Sequence, residues 1–402
     1  MTPSTVIVTD ALWRKSVSAI RSLGRAGYRV IALGESQLTT GFHSRYTSDA
    51  FVGPTAGTSP DGFRAVIETA LQKATTDGRP IILPMEDETC WWLLRQGATL
   101  QSRADWLLPS IQAFATASDK AETMRLAEQI GIPCPRTLFP ASPEDLLRLL
   151  RSEPAIHWVA KPRSGRGSAG ILYDAEITPE AVAAAWATHG PLLIQERIPA
   201  EGRASGVSLL YDRSGTCQAV FCHQRLRQYP VTGGPSTSRI SVNPDEMATQ
   251  VAYSRRLLEH LQWRGVAMVE WKQDPTTGRH LLLEINPRFW GSLDLAIRAG
   301  VDFPALYARA AAGREPPDAP SPYRAGVVCR WMIPGEILRY WAEPRGQRES
   351  LREFLIGSVR NAEEFARDDL RGSIACVACP AVLALNPRYW RYLRRGPKRA
   401  AP

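Results

Sequence analysis

Residues 266–288 read "VAMVEWKQDPTTGRHLLLEINPR", two apolar runs separated by a turn signal. Asp274, Pro275 and Gly278 fall in the connecting "DPTTG", so the segment predicts a β-hairpin. In its second run Glu284, Asn286 and Arg288 recur at every second position, and a strand puts such residues on one face. The hairpin sets Glu270 near Glu284 and Asn286, giving three oxygen-bearing side chains on neighbouring strands. That set suits Mg2+, which takes hard oxygen ligands, keeps several waters and bridges to phosphates. Arg288, one alternation on, points to the same place and suits a transferring phosphoryl group. The competing reading is a solvated face with Arg288 merely paired to a glutamate. Pro287 and the aromatic "FW" at 289–290 weigh against it, since a fixed bend is an unusual end for a plain surface strand.

Upstream, "AKPRSGRGSAGILY" (160–173) holds Gly165, Gly167 and Gly170 in G-x-G-x-x-G spacing. A dinucleotide site needs a helix next, but "ILY" is apolar and β-prone, and the G-K-[ST] ending of a P-loop is missing. What remains is a hairpin lying over phosphates, or a glycine-rich surface turn beside an ordinary lysine. Protein kinases place their phosphate lysine after such a loop, whereas Lys161 precedes it and no H-R-D or D-F-G follows.

The first third alternates "VIVT" (6–9), a helical stretch from about residue 13 to 26, "YRVIALG" (28–34), a helix near 62–75, "IILP" (81–84), a short helix around 86–94 and "WLLP" (106–109). Strands separated by helices predict a doubly wound parallel sheet. The turn "TDALWRKS" has no dinucleotide fingerprint, so no NAD is expected there. Asp119 and Glu122 then mark a helix start that Gly131 and Pro133 end. From about 156 short strands dominate, with helices again at about 244–262, 292–299 and 303–312, and Pro-rich residues 314–324 read as a linker.

A chain of 402 residues with 44% hydrophobic content can bury a core and is long enough for two or three packed units. The formal charge of +9 suggests nucleic acid until it is located: residues 371–402 hold Arg371, Arg388, Arg391, Arg394, Arg395, Lys398 and Arg399 and no acid, leaving the rest nearly balanced. No nucleic-acid partner is expected. Seven scattered cysteines suit reduced thiols, and the start lacks a signal-peptide pattern, so a cytoplasmic protein is expected. "IACVACPAVLAL" (374–385) followed by "NPRYWRYLRRGPKR" reads in two ways. One is peripheral contact with the inner membrane face through residues 374–399; the other is an element packed on the body with a basic end.

Lys161, the glycine loop, "LLIQERIP" (192–199), the fourteen-residue step from Glu270 to Glu284 and "EINPR" stand in one order that resembles the ATP-grasp superfamily of carboxylate–amine ligases over roughly residues 5–313. D-aspartate-ligase-like and carbamoyl-phosphate-synthase-like members are the most similar in pattern, the former through "HQRLRQYPVTGGPST" (223–237). The resemblance implies mixed α/β and α+β architecture. A Rossmann-like domain would span 1–112, a small subdomain with the loop 113–190, a large subdomain with the metal site 191–313, and an extension 314–402.

It further implies that Lys120 and Lys161 contact ATP phosphates under a loop of Ser164, Gly165, Gly167, Ser168 and Ala169, and that Gln195, Glu196 and Ile198 frame adenine. Glu270, Glu284 and Asn286 would bind two Mg2+ ions, or Mn2+, and Arg288 would stabilise the transferred group. Many members carry a ribose acid where this chain has Arg203, so Glu201 is the substitute here. Arg225 and Arg227 alternate in "HQRLRQYP" and are assigned to a substrate carboxylate or the phosphoryl group, while His223 is structural. The expected reaction joins a carboxylate to an amine through an acyl phosphate. Rival readings are a bicarbonate-using carboxylase or carbamoyl-phosphate-type enzyme, and a nucleotide-binding adaptor at the membrane without turnover.

Overall fold

The computed structural model describes residues 4–74, 79–165, 170–230, 233–314, 323–344, 346 and 348–385. Strands β1 (Thr5–Val8), β2 (Arg29–Gly34), β3 (Thr47–Val52) and β4 (Ile81–Leu83) form a parallel sheet in the order β3-β2-β1-β4. β1 and β4 are buried throughout, as their unbroken apolar runs require. β3 escapes sequence reading because it is an edge strand, polar at half its positions and alternately exposed. The strand expected at 106–109 does not form. Parallel pairing stops at Asp105, and the backbone of Leu107 bonds instead to the Tyr307 hydroxyl, which accepts from Leu107 N at 2.8 Å and donates to Leu107 O at 3.1 Å.

The second sheet holds β5 (Thr137–Leu138), β6 (Trp158–Pro162), β7 (Leu172–Tyr173) and β8 (Leu192–Glu196) in the antiparallel order β5-β8-β6-β7. Helices Pro143–Ser152 and Pro179–His189 bury Leu146, Val182 and Ala185 against it. Ser142 and Thr178 cap them, each accepting a backbone N–H in the first turn ahead of a helix-starting proline.

The third sheet is antiparallel, in the order β13-β12-β9-β10-β11-β14. Its strands are β9 (Ala204–Tyr211), β10 (Cys217–Gln228), β11 (Ser236–Val242), β12 (Gly265–Gln273), β13 (His280–Asn286) and β14 (Val328–Arg330). Alternation along β12 splits its side chains between two cores. Ala267, Val269 and Trp271 face helices Ile111–Ser118, Lys120–Gln129 and Ala248–His260. Val266 and Met268 join a core shared with β1, β2, β4 and helices Leu293–Ala299 and Phe303–Ala311. Phe289 and Trp290, fully buried there against Tyr307 and Phe303, explain the aromatic pair after the 281–288 motif. Each would cost about 3–5 kcal/mol if cut to alanine, and together they clamp the end of β13 to the first sheet.

From residue 323 the chain packs on the body, and most of the Pro-rich stretch 314–324 lies outside the described residues. β14 pairs with β11, and helices Ile337–Ala342, Leu351–Asn361 and Leu370–Leu385 follow. The apolar run at 374–385 is therefore helical, and residues 386–402 lie outside the described residues. All seven cysteines are free. No helix among the described residues is long and apolar enough to cross a membrane.

Candidate active site

Antiparallel register sets Glu270 on β12 directly opposite Glu284 on β13, and Met268 opposite Asn286. Asn286 donates from Nδ2 to Glu270 Oε1 at 3.2 Å and to Glu284 Oε1 at 3.4 Å, so the three oxygen-bearing side chains read from the hairpin do meet. Two carboxylates held this close repel each other. Burial and the Glu284 charge raise the Glu270 carboxyl above its ordinary range. Burial acts on Glu284 in the same direction, but Lys120 and Lys161 outweigh it and hold Glu284 below that range.

Lys120 reaches Glu284 Oε2 at 3.2 Å and donates to the Gly165 carbonyl at 3.1 Å, which ties the helix start at Asp119 to the base of the glycine loop. Lys161, on β6, is buried and donates to Gln195 Oε1 at 2.7 Å. Gln195 in turn donates to Thr137 Oγ1 at 2.9 Å, so its amide orients the lysine. Burial and the neighbouring Lys120 lower Lys161 to about 8, against the pull of Glu284 and Glu270.

Arg288 lies just past β13, nine-tenths buried, and its partner comes from the start of helix Asp87–Gln96, which follows β4. Its Nε donates to Asp87 Oδ2 at 2.9 Å, with Glu86 at 3.9 Å, and its Nη1 donates to the Phe289 carbonyl. Burial opposes the charge on Arg288, but these two carboxylates hold its guanidinium firmly protonated. Lys15 is drawn into the same knot, 3.1 Å from Glu86 Oε1 and donating to Phe289 O at 2.9 Å. The sequence reading missed Lys15, Glu86 and Asp87. The acid run "MEDE" directly after strand "IILP" was the available signal, because ligands of parallel sheets gather beyond the carboxyl ends of the strands.

Arg225 bonds Glu270 Oε2 at 3.3 Å and the Gly234 carbonyl at 2.9 Å. Arg227 turns instead to the chain beyond β14, where it meets Glu336 at 3.1 Å and Glu349 at 2.6 Å. Arg339 is buried between the same two acids and Glu343. His223 is buried, and burial together with Arg239 and Arg225 pushes it down to about 3.

Every sequence-assigned residue that falls within the described ones lines a single cavity of about 620 Å3. Lys120, Lys161, Ser164 and Gly165 line it from the loop side, Gln195, Glu196, Ile198 and Glu201 along the segment after β8, and the hairpin set and arginines from the third sheet. Gly167, Ser168 and Ala169 lie outside the described residues. The cavity is also lined by Arg203, Arg339 and Glu343. Among the described residues no three His, Cys, Asp or Glu side chains cluster for a metal. A divalent ion would therefore rest on two glutamates, Asn286 and oxygens from a ligand. That donor set is hard, anionic and incomplete, which fits a phosphate-bridging Mg2+. A second cavity of about 330 Å3 opens beyond β1, β2 and β4, and Glu86 lines it.

Residues 224–333 match the family described as "ATP-grasp in the biosynthetic pathway with Ter operon". No curated protein matches the chain. Several solved structures share its fold. The biotin carboxylase domain of Hydrogenobacter thermophilus 2-oxoglutarate carboxylase, solved with MgADP, ADP and bicarbonate, aligns at TM-score 0.63 and 16% identity over 82% of this chain and 74% of its own. Campylobacter jejuni biotin carboxylase gives 0.65 and 15% over 80% and 74%. Staphylococcus aureus N5-carboxyaminoimidazole synthetase with ADP gives 0.61 and 12%, covering 78% of both.

Proposed function

Because this chain has the ATP-grasp fold, we propose that it is an ATP-dependent ligase that activates a carboxylate as an acyl phosphate and passes it to an amine. The observation that carries this reading is the convergence of Glu270, Glu284, Asn286, Lys120, Lys161 and Arg288 on one cavity. A carboxylate is a poor acyl donor and repels a triphosphate, so opposing positive charge must come first. Lys120 and Lys161 supply it for the phosphates, and Arg288, oriented by Asp87, supplies it for the transferring phosphoryl group. Glu270, Glu284 and Asn286 would hold Mg2+, which when bound neutralises the triphosphate and draws electrons from the γ-phosphorus. Glu196, Ile198 and Glu201 would receive the nucleoside. Arg225 would orient the acid, and Arg227 would act on it in company with Glu336 and Glu349. Attack by the carboxylate oxygen on the γ-phosphorus releases ADP; attack by the amine on the acyl carbon then releases phosphate and a proton. The glycine loop would keep water from the acyl phosphate between the two steps. Amino-acid attachment to a metabolite or cell-envelope precursor is the substrate class proposed.

Bicarbonate as the acid is the second reading, supported by the biotin carboxylases among the similar folds, one of them solved with bicarbonate. ADP release against a panel of organic acids, each with and without amines, and against bicarbonate alone tests both. Release that needs an organic acid and an amine supports the ligase, a response to bicarbonate alone replaces it with carboxylation, and no release under any condition leaves a binding protein. Glu284→Gln, isosteric and on the same strand, is expected to lower ADP formation by about a hundredfold or more with the thermal midpoint unchanged; undiminished turnover removes the metal assignment.

A further inference from the structure

The helix Leu370–Leu385 has an unusual exposed side. Its inner side is fixed: Gly372, Ser373 and Cys376 are buried, Arg21 donates to Ser373 Oγ at 3.2 Å, and Asp369 accepts from Arg21 Nε at 2.8 Å. Its outer side carries Leu370, Ile374, Val377, Ala381 and Leu385, at steps of four, three, four and four residues, which is one continuous helical stripe. Ile374 is 69% exposed and Leu385 83%. After Arg371 the helix has no charged residue. Leu38, Val52, Ile111 and Leu226 apart, every strongly exposed large apolar side chain among the described residues lies between 337 and 385. Single exposed apolar residues are ordinary, but an uninterrupted stripe marks a surface that something covers.

The chain beyond the stripe indicates what. Residues 386–402 contain Arg388, Arg391, Arg394, Arg395, Lys398 and Arg399, with Tyr389, Trp390 and Tyr392 among them and no acid. Most of the molecule's net charge of +9 is thus joined directly to its exposed apolar helix. A second copy could cover the stripe but would bring an equally basic end to it, and nucleic acid would answer the charge and leave the stripe in water. An anionic bilayer answers both at once, taking apolar side chains below its headgroups and arginines against its phosphates. A helix of this length spans about 24 Å, short of the ~30 Å hydrocarbon core, so it would lie in the interface.

We propose that the outer face of helix Leu370–Leu385 docks this protein on an anionic lipid surface, an occupant that the basic composition of residues 386–402 favours. The surface is separate from the cavity, and the proposal stands whether or not the ligase reading does. Flotation of the full chain with vesicles of equal parts phosphatidylcholine and phosphatidylglycerol, and with pure phosphatidylcholine, tests it. Two variants accompany it, Ile374→Asp with Val377→Asp on the stripe, and Arg391→Gln with Arg394→Gln and Arg395→Gln in the basic end. The full chain should float with the mixed vesicles only, less so at raised salt, and each variant should lose about tenfold or more in bound fraction while keeping the parent's thermal midpoint. If the stripe variant misfolds, Ile374→Ser with Val377→Ser takes its place. Absence of flotation, or flotation that the stripe variants leave unchanged, overturns the proposal. So does a dimer in sedimentation velocity that the stripe variants dissociate in the absence of vesicle binding.

Discussion

Asp10, two residues past the first strand, has a left-handed backbone conformation, φ +53°, with its carboxylate accepting from Thr9 Oγ1 at 2.7 Å and Thr89 Oγ1 at 2.8 Å. Burial, then the nearby Glu86 charge, push it up to about 6, against the help of the two hydroxyls. A carboxyl whose folded pKa exceeds its unfolded one binds protons better when folded. Its stabilising contribution is complete below about pH 4 and is lost as pH rises through 6. Asp10→Asn keeps an oxygen for both hydroxyls and removes the charge. It is expected to raise unfolding free energy at pH 8 by about 1–2 kcal/mol and to match the parent near pH 4, as urea titrations at the two pH values will show. Arg288 teaches a different lesson at this scale. Its type and place on the hairpin were legible, yet its orienting partner, Asp87, is 201 residues away, at the start of the helix Asp87–Gln96 that follows β4.

Among the elements, the β12–β13 hairpin was the most legible, because period-two alternation and a turn signal are local properties. Its register makes the acid pair, and β9 supports it from the other side: Gly206 pairs with Glu270 and approaches His223 so closely that a Cβ there would lie 2.5 Å from His223 Cε1. Gly206→Ala is expected to cost about 1–3 kcal/mol, measured by chemical denaturation, and to weaken Mg2+–ADP binding as β9 shifts against β12. The strands β6 and β7 on either side of the glycine-rich stretch were legible too, with Lys161 on the first of them. β3 was not, since an exposed edge strand carries no apolar pattern.

At the scale of the molecule, the chain after residue 323 is held by buried charge. Asp369 accepts from Arg21, from Ser44 Oγ at 2.8 Å and from Arg45 N at 2.9 Å, while Glu363 takes both Arg14 and Arg239. Removing one member leaves a buried charge without its counter-charge. Asp369→Ala is therefore expected to destabilise the protein by about 3–5 kcal/mol and to release helix Leu370–Leu385 first, seen as early hydrogen exchange of its amides. Loss of global stability with that helix still protected would assign Asp369 a different role. The same segment brings Glu336, Arg339 and Glu349 to Arg227, so its docking also shapes one wall of the cavity.

Local chemistry in the chain alone determined the mixed α/β class, the β12–β13 hairpin that brings Glu270, Glu284 and Asn286 together, the place of Lys161 on a strand ahead of the glycine-rich stretch and the concentration of charge in residues 371–402. Each of these depends on residues a few positions apart, where alternation, capping and turn preference act directly. Tertiary structure alone decided that Asp87 and Glu86 orient Arg288, that Arg227 is engaged by acids from the far end of the chain, and that one side of the last helix stays uncovered. Those outcomes follow from how three sheets and their shared cores pack, and no short-range preference encodes which distant surfaces will meet.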